Sequence, residues 1–214
     1  MTEPRRIALM PGDGIGPEVM AAAAEVLAAL DRQTPLGLTW DWLDWPSTDW
    51  HRQHGEMMPA DALTRVQAYD ALLMGALGDP GPLTDAERYC LPDSVSLAPL
   101  LQFRKGLDLW ACERPARLLP GAPQYLADPR AAEVDMLVIR ENSEGEYVNQ
   151  GGRLHRGSAD EVATQLEVFT RRATERLIRH AFARARERLA ARGQGSRDFH
   201  CANRGRAAAQ VCLI

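Results

Sequence analysis

The apolar positions of the chain fall into short runs and stripes whose period changes along its length. Ile7 to Met10 are four consecutive apolar residues, closed by Pro11-Gly12-Asp13-Gly14-Ile15-Gly16-Pro17-Glu18, after which Val19, Ala23, Val26 and Leu30 recur at helical spacing. The pattern predicts a strand, a glycine-rich turn and a helix. Pro17 suits the first helical position, where a missing N–H costs nothing, and Glu18 beside it favours the positive end of the helix dipole. Leu38, Trp40 and Trp42 alternate with polar residues as in a half-buried strand, and Tyr69 to Met74 is a second apolar run ending in Gly75-Ala76-Leu77-Gly78. Strands alternating with helices imply a parallel sheet.

Asp79 to Pro92 is rich in Pro, Gly and Asp and reads as a loop bordering a site or joining parts of a domain. Leu97, Leu100, Leu101 and Leu107 suggest a helix carrying Arg104. Val134 to Ile139 is a further strand-like run, broken by Arg140-Glu141-Asn142, and Gly145, Gly151, Gly152 and Gly157 mark irregular sequence able to hold a hairpin. From Ser158 to Arg192, Val162, Leu166, Phe169, Ala173, Leu177 and Ala181 advance by three or four, predicting one long amphipathic helix or two. Glu167 with Arg171 and Glu175 with Arg179 would add i,i+4 pairs on that helix. After Gly193 the pattern dissolves, and residues 193–214 are expected to be irregular.

Composition narrows the class. With 214 residues, 45% hydrophobic and 25% charged, the chain is an ordinary globular sequence, not a disordered, collagenous or coiled-coil one. No apolar run reaches the roughly 18 residues of a membrane helix, and the run at Ile7 is too short for a signal peptide, so a soluble, cytoplasmic protein with no membrane partner is expected. Cys90, Cys112, Cys201 and Cys212 match neither a zinc pattern nor a dense disulfide framework and read as reduced thiols. Residues 160–214 carry eleven arginines against six acidic residues in a chain of net charge −4, and only Lys105 among the 25 basic residues is a lysine. The arginine-rich stretch has no interleaved aromatics, so a solvated, pair-laced face is favoured over nucleic-acid binding. Four of the five tryptophans lie between 40 and 50, where packing explains them better than a cofactor platform.

Three groups of residues bear on chemistry. Gly12-x-Gly14-x-Gly16 approaches the dinucleotide fingerprint, but position 17, where the third glycine belongs, is proline; close backbone approach and a plain tight turn both remain open. Arg104, Arg114 and Arg140 each stand beside a predicted element end, and converging guanidinium forks suit a di- or tricarboxylate. Tyr147 lies seven residues past Arg140, and a phenol beside cations is able to serve as a proton donor.

PGDGIGPE (11–18), MGALGDP (74–80), LLQFRKGLDLWACERPARLLPG (100–121), VIRENSEGEY (138–147) and VFTRRATERLIRHAFARA (168–185) together resemble the β-decarboxylating dehydrogenase family. That family includes isocitrate, isopropylmalate, homoisocitrate and tartrate/D-malate dehydrogenases, and RENSEGEY, QFRK and VFTR look most like the tartrate/D-malate branch. The resemblance implies an α/β isopropylmalate-dehydrogenase-like fold, here incomplete, with a parallel or mixed sheet flanked by helices. It implies residues 1–99 as part of an outer α/β domain, 100–192 as part of an inner substrate and dimerisation domain, and 193–214 as an irregular tail. The implied activity is NAD-dependent oxidation and decarboxylation of a 2-hydroxy dicarboxylic acid with Mg2+ or Mn2+. Arg104, Arg114 and Arg140 would hold the substrate carboxylates and Tyr147 would protonate the enol. Ile15, Gly75, Ala76 and Gly78 would line the nicotinamide side. The family is homodimeric.

One departure stands out. Aligned on Asn203, Cys201 occupies the place of the family's second proton-transfer residue, a lysine, and the family's metal-binding aspartates and adenosine-binding segment have no counterpart in these 214 residues. These features lead to the expectation of a truncated or frameshifted, inactive or incomplete copy, out of frame from about Gly193. The alternative expectation is a non-catalytic module that pairs with a full-length relative through the hairpin region after Tyr147.

Overall fold

The computed structural model describes residues 4–78, 91–192, 199–202 and 210–213. They fall into two units, Met1–Leu107 and Asp108–Ile214. The loop from Asp79 onward, apart from its last two residues, lies outside the described residues, as does Asn203.

The N-terminal unit is built on a three-stranded sheet of order β2-β1-β3, with β1 (Arg5–Gly12) central and parallel to both β2 (Leu38–Trp42) and β3 (Ala71–Ala76). Ala8, Leu9 and Met10 of β1 are all fully buried, as expected of a central parallel strand covered on both faces. Ala8 and Met10 join Trp45, with Ala62 and Val66 of α3 (Ala62–Val66) and Phe103 of α5 (Ala98–Gly106), in one core cluster. The other face carries α1 (Gly16–Gln33), whose Met20 is buried and packs where a side chain on Gly75 would otherwise stand. The helix forms where expected, but Val19, Val26 and Leu30, which signalled it, are exposed; the buried line runs through Gly16 and Met20 instead. Of the clustered tryptophans, Trp45 is a core residue and Trp50, on α2 (Thr48–His54), stacks on His54 with ring centroids 3.9 Å apart.

Three carboxylates lace the edges of this unit. Asp31 accepts from the backbone N–H of Leu36 and Leu38, closing the turn between α1 and β2. Asp70 accepts from the Arg6 backbone N–H at 2.8 Å, and Asp41 pairs with the Arg6 guanidinium at 2.8 Å. Each sits below the usual carboxylate range: Asp31 through the Leu38 and Leu36 N–H groups, Asp41 through Arg6 and then Tyr69, and Asp70 through the Arg6 N–H.

The C-terminal unit pairs β4 (Ala111–Arg117) antiparallel with β5 (Asp135–Glu141). Leu137 and Ile139 of β5 are buried against Leu177 and Ala181 of α6 (Arg171–Arg192). The strand runs through Arg140 and Glu141 rather than breaking there. β6 (Gly145–Leu154) and β7 (Val162–Val168) form the expected hairpin, with a register shift between Gly145 and Gln150. Helical spacing over 158–168 was misleading: Val162, Thr164, Leu166 and Val168 also alternate with period two, and pairing with β6 selects the strand. Helix α6 begins only after Thr170, whose hydroxyl caps the Ala173 N–H. Glu167 is therefore on a strand and Arg171 faces Glu175, while the Glu175 to Arg179 pair forms as expected. In the tail, expected to be irregular, β8 (Phe199–Ala202) and β9 (Gln210–Leu213) extend the sheet, β9 lying antiparallel to β5.

Candidate functional site

In the N-terminal unit the glycine loop after β1 and the exit of β3 meet at one backbone carbonyl. A Cβ on Gly16 would lie 2.0 Å from Pro11 O and one on Gly75 2.3 Å from the same atom, so both positions tolerate only glycine. This close approach brings Gly75, Ala76 and Gly78 beside the turn that leads to Ile15. Ile15 is the N-cap of α1 and the residue is 63% exposed, an apolar group at the end of a parallel sheet. Gly78 has φ +88°, and among the described residues nothing lies within 4 Å of where its side chain would be. The four residues expected to face one end of a cofactor are thus gathered around one loop pair.

Asp13, one residue of the PGDGIGPE stretch with no role expected of it, is the centre of this arrangement. It is buried, and its Oδ1 accepts from the Thr48 N–H at 2.7 Å and the Thr48 hydroxyl at 2.8 Å, while Oδ2 accepts from the Gly78 N–H at 2.9 Å. Its own N–H donates to Ala76 O at 2.7 Å. One residue therefore ties the β1–α1 turn to the β3 exit and to the start of α2. Only the long-range partners, 35 and 65 residues away, reveal this, and no local pattern encodes them.

In the C-terminal unit the β4–β5 ladder has two unlike faces. Glu113, Leu137 and Ile139 point to α6, where Glu113 meets His180 at 2.7 Å and Arg184 at 3.0 Å. Residues of the other parity face away. Arg114 is opposite Val138 and Cys112 is opposite Arg140, so Arg114 and Arg140 share that second face as diagonal neighbours, about 7–8 Å apart at Cα by strand geometry. Arg114 is exposed, whereas the Arg140 side chain is only 11% exposed. Arg140 donates to the Tyr147 hydroxyl oxygen, its guanidinium carbon lies 4.8 Å from the Tyr147 ring centroid, and it stands 3.5 Å from the Glu146 carboxylate. Because a guanidinium has only donors, the phenol's own proton is left to point elsewhere.

The turn between these two residues is held from below. Buried Glu141 accepts from Ser143 N–H, Ser143 hydroxyl and Glu144 N–H, and Glu144 in turn accepts from the Thr170 N–H and hydroxyl, both at 2.7 Å. Arg176 of α6 reaches Ser143 and pairs with Asp108 at 3.0 Å over the Trp110 ring. Arg140 and Tyr147 are thus presented by a turn fixed to α6. Arg104 is on α5, partly buried, and belongs to the N-terminal unit.

A family description, isocitrate/isopropylmalate dehydrogenase, matches residues 6–194. The chain belongs to the isocitrate/isopropylmalate dehydrogenase family. A D-malate dehydrogenase [decarboxylating] from Escherichia coli (strain K12) is 40% identical over 189 residues, covering 88% of this chain and 50% of that protein. A probable tartrate dehydrogenase/decarboxylase from Bacillus subtilis (strain 168) is 43% identical, covering 85% of this chain and 49% of its own length. Among solved structures, isocitrate dehydrogenase from Methylococcus capsulatus aligns with a TM-score of 0.65 at 28% identity, over 86% of this chain and 48% of that one. The chain spans about half the length of the curated relatives it matches.

Within this isocitrate/isopropylmalate dehydrogenase family member, the room beside Gly78 among the described residues and the exposed Ile15 leave space for a flat apolar group at this loop pair. The described residues do not offer a metal the same fit: among them no group of three His, Cys, Asp or Glu side chains converges. Cys112 is a free thiol, half-buried on β4. No helix among the described residues is long and apolar enough to cross a membrane.

Proposed function

We propose that the chain carries the substrate-anchoring and nicotinamide-facing part of an NAD-dependent decarboxylating dehydrogenase for 2-hydroxy dicarboxylates of the D-malate or tartrate type. The observation that carries this reading is the Arg140–Tyr147 contact on the ladder face that also bears Arg114. Two guanidinium groups on one face bind a carboxylate apiece, fixing a small dicarboxylate by its two ends. The names of the relatives from Escherichia coli and Bacillus subtilis support the substrate class.

In this reading NAD, when bound, would supply the hydride acceptor for C2 of the substrate, the proton of the C2 hydroxyl passing to water. Ile15 and the backbone of Gly75, Ala76 and Gly78 hold the nicotinamide edge and keep water from that side. As the β-carboxylate leaves as CO2, the electrons of its C–C bond form an enolate, and Tyr147 gives its hydroxyl proton to the carbon that lost the carboxylate. Arg140, already donating to the phenol oxygen, stabilises the phenolate left behind and keeps the oxygen in place. No step through a metal is assigned to the described residues.

A second reading, a non-catalytic module pairing with a full-length relative through the hairpin, is favoured by exposed Leu154, Val162 and Leu166 on β6 and β7. Calorimetric titration with D-malate and with acetate separates the two. The catalytic-site reading expects D-malate to bind, acetate to bind far more weakly, and Arg114→Ala to erase the difference. Equal binding of both acids, or none, overturns it.

A further inference from the structure

Asp13 is a charged group in an unusual setting. Its side chain is buried, both carboxylate oxygens accept hydrogen bonds, and all three donors are neutral: two backbone N–H groups and one hydroxyl. That acceptor-only pattern is the one an ionised carboxylate makes. Among the described residues no arginine, lysine or histidine pairs with it; the salt bridges of this unit lie at Arg5, Arg6, Arg52 and Arg65. A buried charge without a cationic partner among the described residues is costly, and its field reaches neighbouring groups with little screening. A purely structural clasp between the same three segments needs no charge, since an uncharged acceptor serves the same donors.

The neighbours it reaches are the ones assigned above to the nicotinamide ring. Asp13 is bonded to the Gly78 N–H and to Ala76 O, and two residues further on stands Ile15. The oxidised nicotinamide ring is a cation and the reduced ring is neutral, so a fixed negative charge at this place distinguishes them.

Resting on the cofactor reading of the preceding section, we propose that Asp13 is a positioning residue with two linked effects: it fixes the loops that receive the nicotinamide ring, and its negative charge makes that place prefer the oxidised ring over the reduced one. The geometric effect acts through Thr48 and Gly78. The electrostatic effect acts on the ligand's charge and needs no contact. The two are separable, because removing the Thr48 hydroxyl loosens the clasp while leaving the charge in place.

The test uses the whole 214-residue chain with nicotinamide mononucleotide and its reduced form as probes. Asp13→Asn keeps the shape, removes the charge and turns one acceptor into a donor. It is expected to lower affinity for both probes, and to lower it for the oxidised probe further, by on the order of tenfold in the ratio of the two dissociation constants. Thr48→Val is expected to weaken both probes equally, and Thr48→Ser to restore them. Amide hydrogen exchange at Thr48 and Gly78 is expected to speed up in Asp13→Asn while Ala8 to Met10 stay protected, which shows that the variant is folded. If the wild-type chain binds the probes and Asp13→Asn loses both forms equally, or neither, the inference is overturned and the cofactor reading stands. If the wild-type chain binds neither form, the cofactor reading is overturned and the charge preference with it. Unchanged exchange at Thr48 and Gly78 overturns the positioning role in either case.

Discussion

The candidate surfaces of the two units are built from different materials. Around the glycine loop the functional surface is backbone, pressed together at Pro11 O and tied by one buried carboxylate to partners far along the chain. On the β4–β5 ladder it is side chain: Arg114 and Arg140 share the face opposite the one that packs on α6, and Tyr147 of β6 meets Arg140. A surface made of backbone has fixed geometry and little chemical variety, which suits an invariant ring. A side-chain face is adjustable by substitution, which suits a substrate that differs among relatives named for D-malate, tartrate and isocitrate.

The sharpest way to break that contrast is to add one carbon to the backbone half. Gly16→Ala places a methyl against Pro11 O and is expected to destabilise the N-terminal unit by about 3 kcal/mol or more, read by urea unfolding through the buried Trp45. Leu177→Ala is the counterpart beneath the side-chain half; emptying its fully buried site is expected to cost about 2–5 kcal/mol in the C-terminal unit, measured by the same titration followed at Trp110. Arg140→Lys keeps the charge but loses the fork that reaches Tyr147, and dicarboxylate affinity in calorimetry is expected to fall about tenfold, with stability little changed. Glu144→Gln weakens the tie to Thr170 at the start of α6 and is expected to cost about 1 kcal/mol in thermal unfolding.

The smallest effect is one of pH. Asp31, Asp41 and Asp70 of the N-terminal unit all sit below the usual carboxylate range, held there chiefly by N–H groups for Asp31 and Asp70 and by Arg6 for Asp41. In the C-terminal unit Asp128 is lowered in the same way by Arg130. A lowered carboxylate adds stability that is complete above its unfolded value of about 4 and is lost as the pH falls through its folded one. The N-terminal unit is therefore expected to loosen first below about pH 4, and Asp70→Asn to flatten that dependence, as followed by Trp45 fluorescence during acid titration.

Much of this molecule is legible in its sequence because the signals are local. The apolar run of β1, Pro17 and Glu18 at the start of α1, and the leucines flanking Arg104 each specify an element within a few residues. The motif order likewise anticipated the family now shown by the match over 6–194. Where the reading failed, a choice between two periods was settled by a distant partner. Val162 to Val168 fits both helix and strand, and β6 decides. The apolar stripe of α1 at Val19, Val26 and Leu30 identified the helix but not its buried side, because Gly75 makes room for Met20 instead. Asp13 escaped notice for the same reason: an aspartate among glycines reads as a turn residue until Thr48 and Gly78 are placed beside it.

The central claim is that one loop pair receives nicotinamide and one ladder face receives a dicarboxylate. Two-dimensional amide NMR of the 214-residue chain, titrated separately with nicotinamide mononucleotide and with D-malate, tests it most directly. The account predicts that the first ligand shifts resonances of residues 13–16 and 75–78, and that the second shifts those around Arg114, Arg140 and Tyr147. Shifts confined to other regions, or the same set moved by both ligands, would contradict it.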